Sequence, residues 1–341
     1  MLKNAALDRR LEPVEPFLAP LTATVRDFTR LTGVPIDLPT VLFLRAELAG
    51  HPLPGRTSAG GSCRLLPTAD GWAAVNLARP DDTAAVPALV ALLGSPETDL
   101  SEAARRVSAG EVARNAQLLG IAAAELGAAR GGRAPVRVRR LGRPRVSDTA
   151  PRVVDLSALW AGPLCARLLG LAGAEVVKVE SATRPDGARL GSPDFYRWLH
   201  DGHGSLVLDF SSDALAETVA GADVVIEASR PRALRRLGIH AERFLAERPG
   251  RVWVSITGYG RDDDRIAFGD DAAVAGGLTG LDADGDPVFL GDALADPVTG
   301  VFAAHAAASS LARGGGELLC VSMAACAAAL ADSGAGEHRS C

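Results

Sequence analysis

Residues 152–180 read RVVDLSALWAGPLCARLLGLAGAEVVKVE, and this stretch decides the fold class. Short β-branched runs at its two ends predict strands at 152–156 and 175–180. Between them, Gly162 and Pro163 open an apolar segment that predicts a helix to Leu171, and Gly173 follows as a stop signal. A strand, a helix and a second strand in this order predict a β-α-β unit with parallel strands.

The same alternation continues downstream. Further strands are predicted at 205–210, 223–227 and 251–257, and helices at 213–220 and 231–237. Short, continuous apolar strands are typical of a sheet that helices cover on both faces. The sequence therefore predicts an α/β fold with a doubly wound, mainly parallel sheet over 150–332, with ligands at the C-terminal ends of its strands.

The upstream part is predicted to form a small α+β module, residues 1–129. Asp70 and Gly71 lie between two apolar runs in 60–78, which is a strong hairpin signal. Helical apolar spacing occurs at 15–31, 39–48, 84–93 and 101–119.

The segment between these parts is strongly basic. Residues 130–145 contain seven arginines, no acidic residue, and interspersed glycine and proline. We interpret 130–149 as a basic linker or connecting strand, with contact to an anionic ligand as the alternative. At the other end of the chain, residues 333–341 are expected to form a polar tail.

Composition excludes several classes of protein. The chain has 341 residues, 48% of them hydrophobic and 23% charged, which is enough for two domains with real cores. Its net charge of -5 argues against a nucleic-acid-binding surface. No signal peptide and no apolar run of roughly 18 residues is found, so we expect a cytoplasmic protein that makes no membrane contact. The five cysteines form no CxxC and the histidines form no HExxH, so neither a disulfide framework nor a metal site is expected.

Common nucleotide-binding motifs are missing from the first β-α-β unit. Its turn contains a single glycine, Gly162, and matches neither GxGxxG nor the P-loop pattern. NAD and ATP are therefore disfavoured, although a helix N-terminus there could still hold a phosphate.

The quoted stretch resembles the opening of the class III CoA-transferases, the family of formyl-CoA transferase, carnitine CoA-transferase and α-methylacyl-CoA racemase. The matching pieces are Ala-Gly-Pro at 161–163 and GAEVVKVE at 173–180. Further matches follow in the family's order at RPDGAR (184–189), SLVLDF (205–210), ADVVIEASRPRALRRLGI (222–239) and VSITGYG (254–260).

The resemblance implies a CoA-binding site. Its predicted residues are Ala161, Gly162, Pro163, Arg189, His203, Arg230, Arg232, Gly258, Tyr259 and Gly260. Arg230 and Arg232 could meet the CoA phosphates, with a solvated helix start as the alternative. The chain departs from the family where His203 replaces a lysine, where Ala228-Ser229 replaces Asn-Phe, and at 262–264, which read Asp-Asp-Asp.

The order of the parts also differs from the family. Residues 70–82 resemble the hairpin of the family's later, smaller module, yet here they precede the opening motif. Residues 1–145 thus look like the second half of one copy, and 150–310 like the first half of another.

The resemblance also implies a catalytic aspartate, in the segment FGDDAAVAGGL at 268–278. Asp271 fits the family's Gly-x-Asp pattern, whereas Asp270 better fits the distance to Gly277-Leu278. A carboxylate at this place would attack the thioester carbonyl, form a mixed anhydride and pass CoA to a second acid. The alternative is that these aspartates only cap a helix.

A second acidic position follows at Asp296, where the racemase branch carries an acid/base aspartate. Asp292 lies four residues earlier, so both could lie on one helical face. The branch's histidine is absent, because that position is Asp270. We therefore expect a CoA-transferase that acts on acyl-CoA and carboxylic acids, and a homodimer. An isomerase, racemase or dehydratase of the same fold, or a non-catalytic member that binds CoA or a partner, stays open.

Overall fold

The computed structural model describes residues 5–337 of the chain. Within this range the helices are α1 (Ala5–Leu11), α2 (Ala19–Thr32), α3 (Leu38–Leu48), α4 (Pro80–Ala84), α5 (Val86–Leu92), α6 (Leu100–Arg105), α7 (Ala109–Leu118), α8 (Ala161–Leu171), α9 (Pro193–His200), α10 (Asp213–Ala220), α11 (Pro231–Arg236), α12 (Ala241–Glu247), α13 (Gly269–Ala275), α14 (Ala295–Ala312) and α15 (Met323–Glu337). The strands are β1 (Cys63–Pro67), β2 (Trp72–Asn76), β3 (Ala122–Glu125), β4 (Val136–Arg140), β5 (Arg152–Asp155), β6 (Glu175–Ser181), β7 (Gly204–Leu208), β8 (Val224–Glu227), β9 (Val252–Thr257), β10 (Thr279–Leu281), β11 (Pro287–Phe289) and β12 (Glu317–Ser322).

A three-stranded antiparallel sheet, β1-β2-β3, forms the small module with helices α4 to α7. The predicted hairpin is confirmed, with Leu65 opposite Ala74 across the Asp70-Gly71 turn. The segment expected to form one helix over 101–119 is two helices, α6 and α7. A new helix starts there because the Ser108 hydroxyl accepts a hydrogen bond from the Glu111 amide.

The N-terminal helices α1 to α3 belong to a different core. Leu21, Phe28 and Leu42 are buried in the same hydrophobic cluster as Leu164 of α8 and Val298 of α14. These helices thus pack on the main domain, in contrast to the expected single module 1–129. Side-chain patterns within a helix reveal an apolar face but not its partner.

The main domain is built on a seven-stranded sheet with the order β4-β12-β9-β8-β5-β6-β7. All neighbours are parallel except β4, so the predicted doubly wound, mainly parallel sheet is confirmed. Helices α8 and α14 cover one face, and α10, α11 and α12 the other. From β5 the chain adds β6 and β7 on one side and then β8 and β9 on the other, so the strand order reverses between β5 and β8. Sheets of this kind bind ligands at such a place.

The basic segment 130–149 contributes a strand of this sheet. Its residues 136–140 form β4, the antiparallel edge strand beside β12, and Arg137, Arg139 and Arg140 are exposed. Charged side chains are favoured on edge strands because they oppose pairing with other chains. The alternative of a connecting strand is therefore correct for this part of the segment.

The expected tail begins inside a helix. Helix α15 continues to Glu337, and its residues up to Ala331 are largely buried. Residues 338–341, with His338 and Cys341, lie outside the described range. Over residues 5–337, no helix is long and apolar enough to cross a membrane. The same residues contain no group of three or more His, Cys, Asp or Glu side chains arranged to hold a metal ion.

Candidate active site

Four aspartates meet where the first turns of α13 and α14 pack together. Asp270 and Asp271 lie in the first turn of α13, Asp296 lies in the first turn of α14, and Asp292 precedes α14. Their exposed fractions are 5%, 0%, 9% and 1% respectively. The structure thus brings together all three predicted catalytic residues, and it encloses them. Because Asp292 precedes the helix, the expectation that it shares a helical face with Asp296 is wrong.

A glycine allows the two helix starts to approach. A Cβ atom at Gly269 would lie 2.4 Å from both the Ala293 carbonyl oxygen and Asp296 Oδ2. Ala293 itself has a φ of 46°, a conformation that is strained for a residue with a side chain. Its amide donates a hydrogen bond of 2.9 Å to Asp270 Oδ1. The strained turn therefore provides a donor for a buried carboxylate.

Asp271 is tied to its own helix and to the small module. Its Oδ1 accepts hydrogen bonds from the Phe268 amide at 2.9 Å and from Asn76 Nδ2 at 3.0 Å. Asp271 thus caps its helix, as the structural alternative expected. However, its Oδ2 and the Asn76 Oδ1 are buried and have no hydrogen-bond partner among the described residues. Burial raises the pKa of Asp271 to about 7.

An arginine from α3 neutralises part of the cluster. The Arg45 guanidinium donates to both oxygens of Asp292, at 2.7 Å each. His51 Nδ1 lies 3.4 Å from Asp292 Oδ2. The guanidinium also lies 5.2 Å from the ring centre of Trp160, at the start of α8. The N-terminal helices therefore supply the positive charge of this site.

The other two carboxylates hold protons more tightly than usual. Burial, together with repulsion from Asp292, raises the pKa of Asp270 to about 6. Burial raises the pKa of Asp296 to about 7, although Arg45 and a hydrogen bond from the Ala161 amide oppose the shift. Near neutral pH the cluster thus contains both ionised and protonated carboxyl groups, which is the condition for nucleophilic or acid/base chemistry.

The predicted motif at 161–163 begins α8, next to this cluster. Ala161, Gly162 and Pro163 are buried, and a Cβ at Gly162 would lie 2.0 Å from Ser157 Oγ. The glycine is therefore required by packing against the preceding loop. Through its amide, Ala161 contacts Asp296.

Gly258, Tyr259 and Gly260 follow β9 and lead toward α13. Tyr259 is 5% exposed, and its hydroxyl is buried without a hydrogen-bond partner among the described residues. Burial, followed by the charge of Asp271, raises the pKa of this phenol. The Arg265 guanidinium covers the ring at 3.8 Å.

The remaining predicted CoA-binding residues do not share one edge of the sheet. Arg189, Arg230 and Arg232 lie at the C-terminal edge, whereas His203 directly precedes β7 and so lies at the N-terminal edge. Arg189 is held by both oxygens of Glu180, at 3.0 and 2.6 Å. His203 is half-buried against Gly170 of α8. Arg230 precedes α11, and Arg232 lies 3.6 Å from Asp264. The structure does not gather these side chains at one point.

Sequence reasoning missed the partners that the N-terminal half contributes, namely Arg45, His51 and Asn76. One signal was available: Arg45 interrupts the apolar run VLFLRAEL of α3. A single arginine within such a run often pairs with a buried carboxylate.

Comparison with known proteins places this chain in a family. The model of CoA-transferase family III matches residues 151–340, more than half of the chain. The chain belongs to CoA-transferase family III.

Curated CoA-transferases resemble this chain over part of their length. Succinate–glutarate CoA-transferase of Agrobacterium fabrum is 29% identical over 182 residues, which cover 47% of this chain and 46% of the relative. Succinyl-CoA–D-citramalate CoA-transferase of Chloroflexus aurantiacus is 31% identical over 184 residues, covering 49% and 46%. The chain spans about half the length of these curated relatives.

Solved structures agree with the fold. A CaiB/BaiF family protein from Brucella suis is 28% identical, with a TM-score of 0.51 over 56% of this chain and 57% of that protein.

Proposed function

We propose that the protein transfers CoA between carboxylic acids through an aspartyl anhydride on Asp270 or Asp271. The observation that carries the proposal is this carboxylate pair at the head of α13, enclosed with Arg45 at the C-terminal edge of the parallel sheet. The names of the relatives support the reaction class, and succinyl and glutaryl groups are the first substrates to test.

The proposed reaction begins with attack of an aspartate oxygen on the thioester carbonyl carbon. The carbon–sulfur bond breaks, CoA leaves as the thiolate, and the acyl group remains on the enzyme as a mixed anhydride. The thiolate then attacks the aspartyl carbonyl, which releases the donor acid and leaves an aspartyl-CoA thioester. The acceptor carboxylate repeats the two steps in reverse, so that the acceptor leaves as its CoA thioester and the aspartate is regenerated.

Electrostatics favour Asp270 as the ionised member of the pair. A pKa of about 6 leaves it mainly deprotonated at neutral pH, and its Oδ1 is oriented by the Ala293 amide. Asp271 is fully covered and shares its Oδ1 between two donors. Because Asp270 is only 5% exposed and Ser58 hydrogen-bonds to its carboxylate, an acyl-CoA must displace neighbouring residues to reach it.

CoA is proposed to bind along the C-terminal edge of the sheet, at those residues predicted from the family resemblance that lie there. Arg230 lies at the exposed start of α11, and Arg232 is 3.6 Å from its ion-pair partner Asp264. Both guanidinium groups are therefore suited to bind a phosphate. Arg189 and the turns at 161–163 and 258–260 complete this proposed site, whereas His203 lies outside it, at the N-terminal end of β7. We further propose a homodimer in a cytoplasmic setting, and light scattering tests the dimer.

A second candidate is acid/base chemistry on the α-carbon of an acyl-CoA. The observation that favours it is the pKa of about 7 at Asp296, because a general acid or base works best near the pH of the reaction. Isomerisation or racemisation by Asp296 would move solvent deuterium onto the α-carbon without CoA transfer.

The decisive experiment combines trapping with substitutions. The protein is incubated with succinyl-CoA and hydroxylamine, and tandem mass spectrometry of the tryptic fragment 266–313 locates any aspartyl hydroxamate. Asp270→Asn, Asp271→Asn and Asp296→Asn are compared with Asp99→Asn, which changes an exposed helix cap, and with Asp284→Asn at the exposed β10–β11 turn.

A hydroxamate on Asp270 or Asp271, with turnover lost in that variant alone, is the expected result. A hydroxamate on Asp284 would instead identify the nucleophile in the exposed turn between β10 and β11. Full turnover of both Asp270→Asn and Asp271→Asn would refute the proposal. Normal CoA affinity without turnover on any acid would favour a non-catalytic CoA-binding protein.

A further inference from the structure

A buried lysine lies apart from the aspartate cluster. Lys178, in β6, is 1% exposed. It is one of only two lysines among the 36 lysine and arginine residues of the chain. In a chain that uses arginine almost everywhere, a lysine at a closed position indicates a need for a compact ammonium group.

The ammonium of Lys178 joins three segments. Its Nζ lies 2.9 Å from Asp186 Oδ2 and 3.7 Å from Asp155 Oδ2, and it donates to the Ser157 carbonyl. Both carboxylates are buried, at 4% and 0% exposure. One cation thus offsets two buried negative charges, which would be costly without it.

These contacts fix the loop 156–160 between β5 and α8. Asp155 Oδ1 accepts a hydrogen bond from the Ser157 amide, and Asp186 Oδ1 accepts one from the Leu159 amide, each at 2.9 Å. Leu159 has a φ of 69°, which a residue with a side chain rarely adopts. Such strain persists only where the surroundings hold the backbone in place.

The loop leads directly to the proposed site. The next residue, Trp160, faces Arg45 at 5.2 Å, and Ala161 then hydrogen-bonds to Asp296. The loop also follows β5, one of the two strands between which the sheet order reverses. Its conformation therefore determines both how α8 meets the aspartate cluster and the shape of the ligand edge.

We propose that Lys178 is a positioning residue that holds the 156–160 loop in its strained conformation for CoA binding. The part that concerns CoA rests on the proposed function. The part that concerns the loop stands on the contacts of Lys178, Asp155 and Asp186 alone.

The test measures hydrogen exchange and CoA affinity in the same set of variants. Lys178→Met removes the cation, and Asp186→Asn is a milder change that keeps an acceptor for the Leu159 amide. Arg313→Met is the matched control, because it removes a cation from the buried Glu317 at the opposite edge of the sheet. We expect at least tenfold faster exchange of the Leu159 amide in both loop variants, with β8 and β9 as protected as in the wild type. We also expect at least tenfold weaker binding of free CoA by calorimetry, and no change of either quantity in Arg313→Met.

A second substitution tests whether Lys178 acts by holding the 156–160 loop or only stabilises the fold through its ion pairs. Glycine adopts a φ of 69° without strain, so the double variant Lys178→Met/Leu159→Gly should recover part of the CoA affinity. Unchanged exchange at Leu159 in Asp186→Asn and Lys178→Met, with only a lower melting temperature, would overturn the proposal. If Lys178→Met does not fold, Asp186→Asn decides it. If wild-type protein fails to bind CoA, the proposed function fails, while the exchange result still decides the role of Lys178.

Discussion

Replacing Asp271 by asparagine should stabilise the protein while removing a candidate nucleophile. The Asp271 carboxyl is fully buried, and its pKa of about 7 lies about 3 units above the ordinary 3.8. At about 1.4 kcal/mol per unit, the ionised carboxylate costs about 4 kcal/mol at pH 8. Asparagine avoids this cost because it carries no charge.

The substitution also satisfies two unpaired atoms. The new Nδ2 takes the place of the unpartnered Oδ2, and we expect it to donate to the Asn76 Oδ1, which has no donor among the described residues. The Oδ1 keeps its hydrogen bonds from Phe268 and Asn76. A reciprocal amide pair adds about 1 kcal/mol, so the expected gain at pH 8 is about 4 to 5 kcal/mol.

The gain must depend on pH in a defined direction. The folded pKa of Asp271 lies above the unfolded value, so the folded wild type binds more protons between about pH 4 and 7 and loses stability as the pH rises through that window. Relative to asparagine, the charge penalty falls from about 4 kcal/mol at pH 8 to about 2 kcal/mol at pH 5, and it vanishes near pH 3.

Equilibrium unfolding in urea, followed by circular dichroism at pH 8 and pH 5, measures the difference. Asp99→Asn is the control, since this exposed cap should change stability little at either pH. An Asp271→Asn variant that is no more stable than wild type at pH 8, or whose gain is the same at both pH values, would refute the reasoning.

Three further substitutions test the packing around the site. Arg45→Met leaves Asp292 buried without its bidentate partner, so urea unfolding should show a loss of about 3 to 5 kcal/mol. Gly269→Ala places a methyl group 2.4 Å from Asp296 Oδ2, so it should lower both the melting temperature and the turnover. The control Gly71→Ala, at an exposed position with no atom within 4 Å of the added methyl group, should change neither. Trp253→Phe removes the 2.8 Å hydrogen bond to the buried Glu227, and calorimetric melting should show a loss of about 1 to 3 kcal/mol that is absent if Glu227 finds another donor.

The sequence predicted the centre of the fold well because local signals there agree with the tertiary structure. The strands β5, β6, β8 and β9 are rich in valine and isoleucine, and each ends near a turn signal. The arginines of β4 obscured its strand pattern, since an edge strand tolerates charge on both faces. Strand β12 was missed because ELLCVS is short and lies directly before a buried helix.

The candidate site was predictable only in part, for a related reason. Asp270, Asp271 and Asp296 lie within 27 residues of one another, in a segment that resembles the family. Their partners come from far along the chain. Arg45 contacts Asp292, 247 positions away, and Asn76 contacts Asp271, 195 positions away. No periodicity or motif encodes such a pairing, which exists only after the two halves of the chain have docked.

That distance along the chain has a kinetic consequence. In the unfolded chain the aspartates of α13 and α14 are in water, and with their ordinary pKa they are ionised at pH 6. Folding buries them and raises their pKa values to between about 6 and 7, so the protein must take up protons from the buffer as the site assembles. Contacts of such long sequence separation form late. Proton uptake from a weakly buffered solution, followed with a pH indicator in stopped-flow refolding, therefore reports the final assembly of the site.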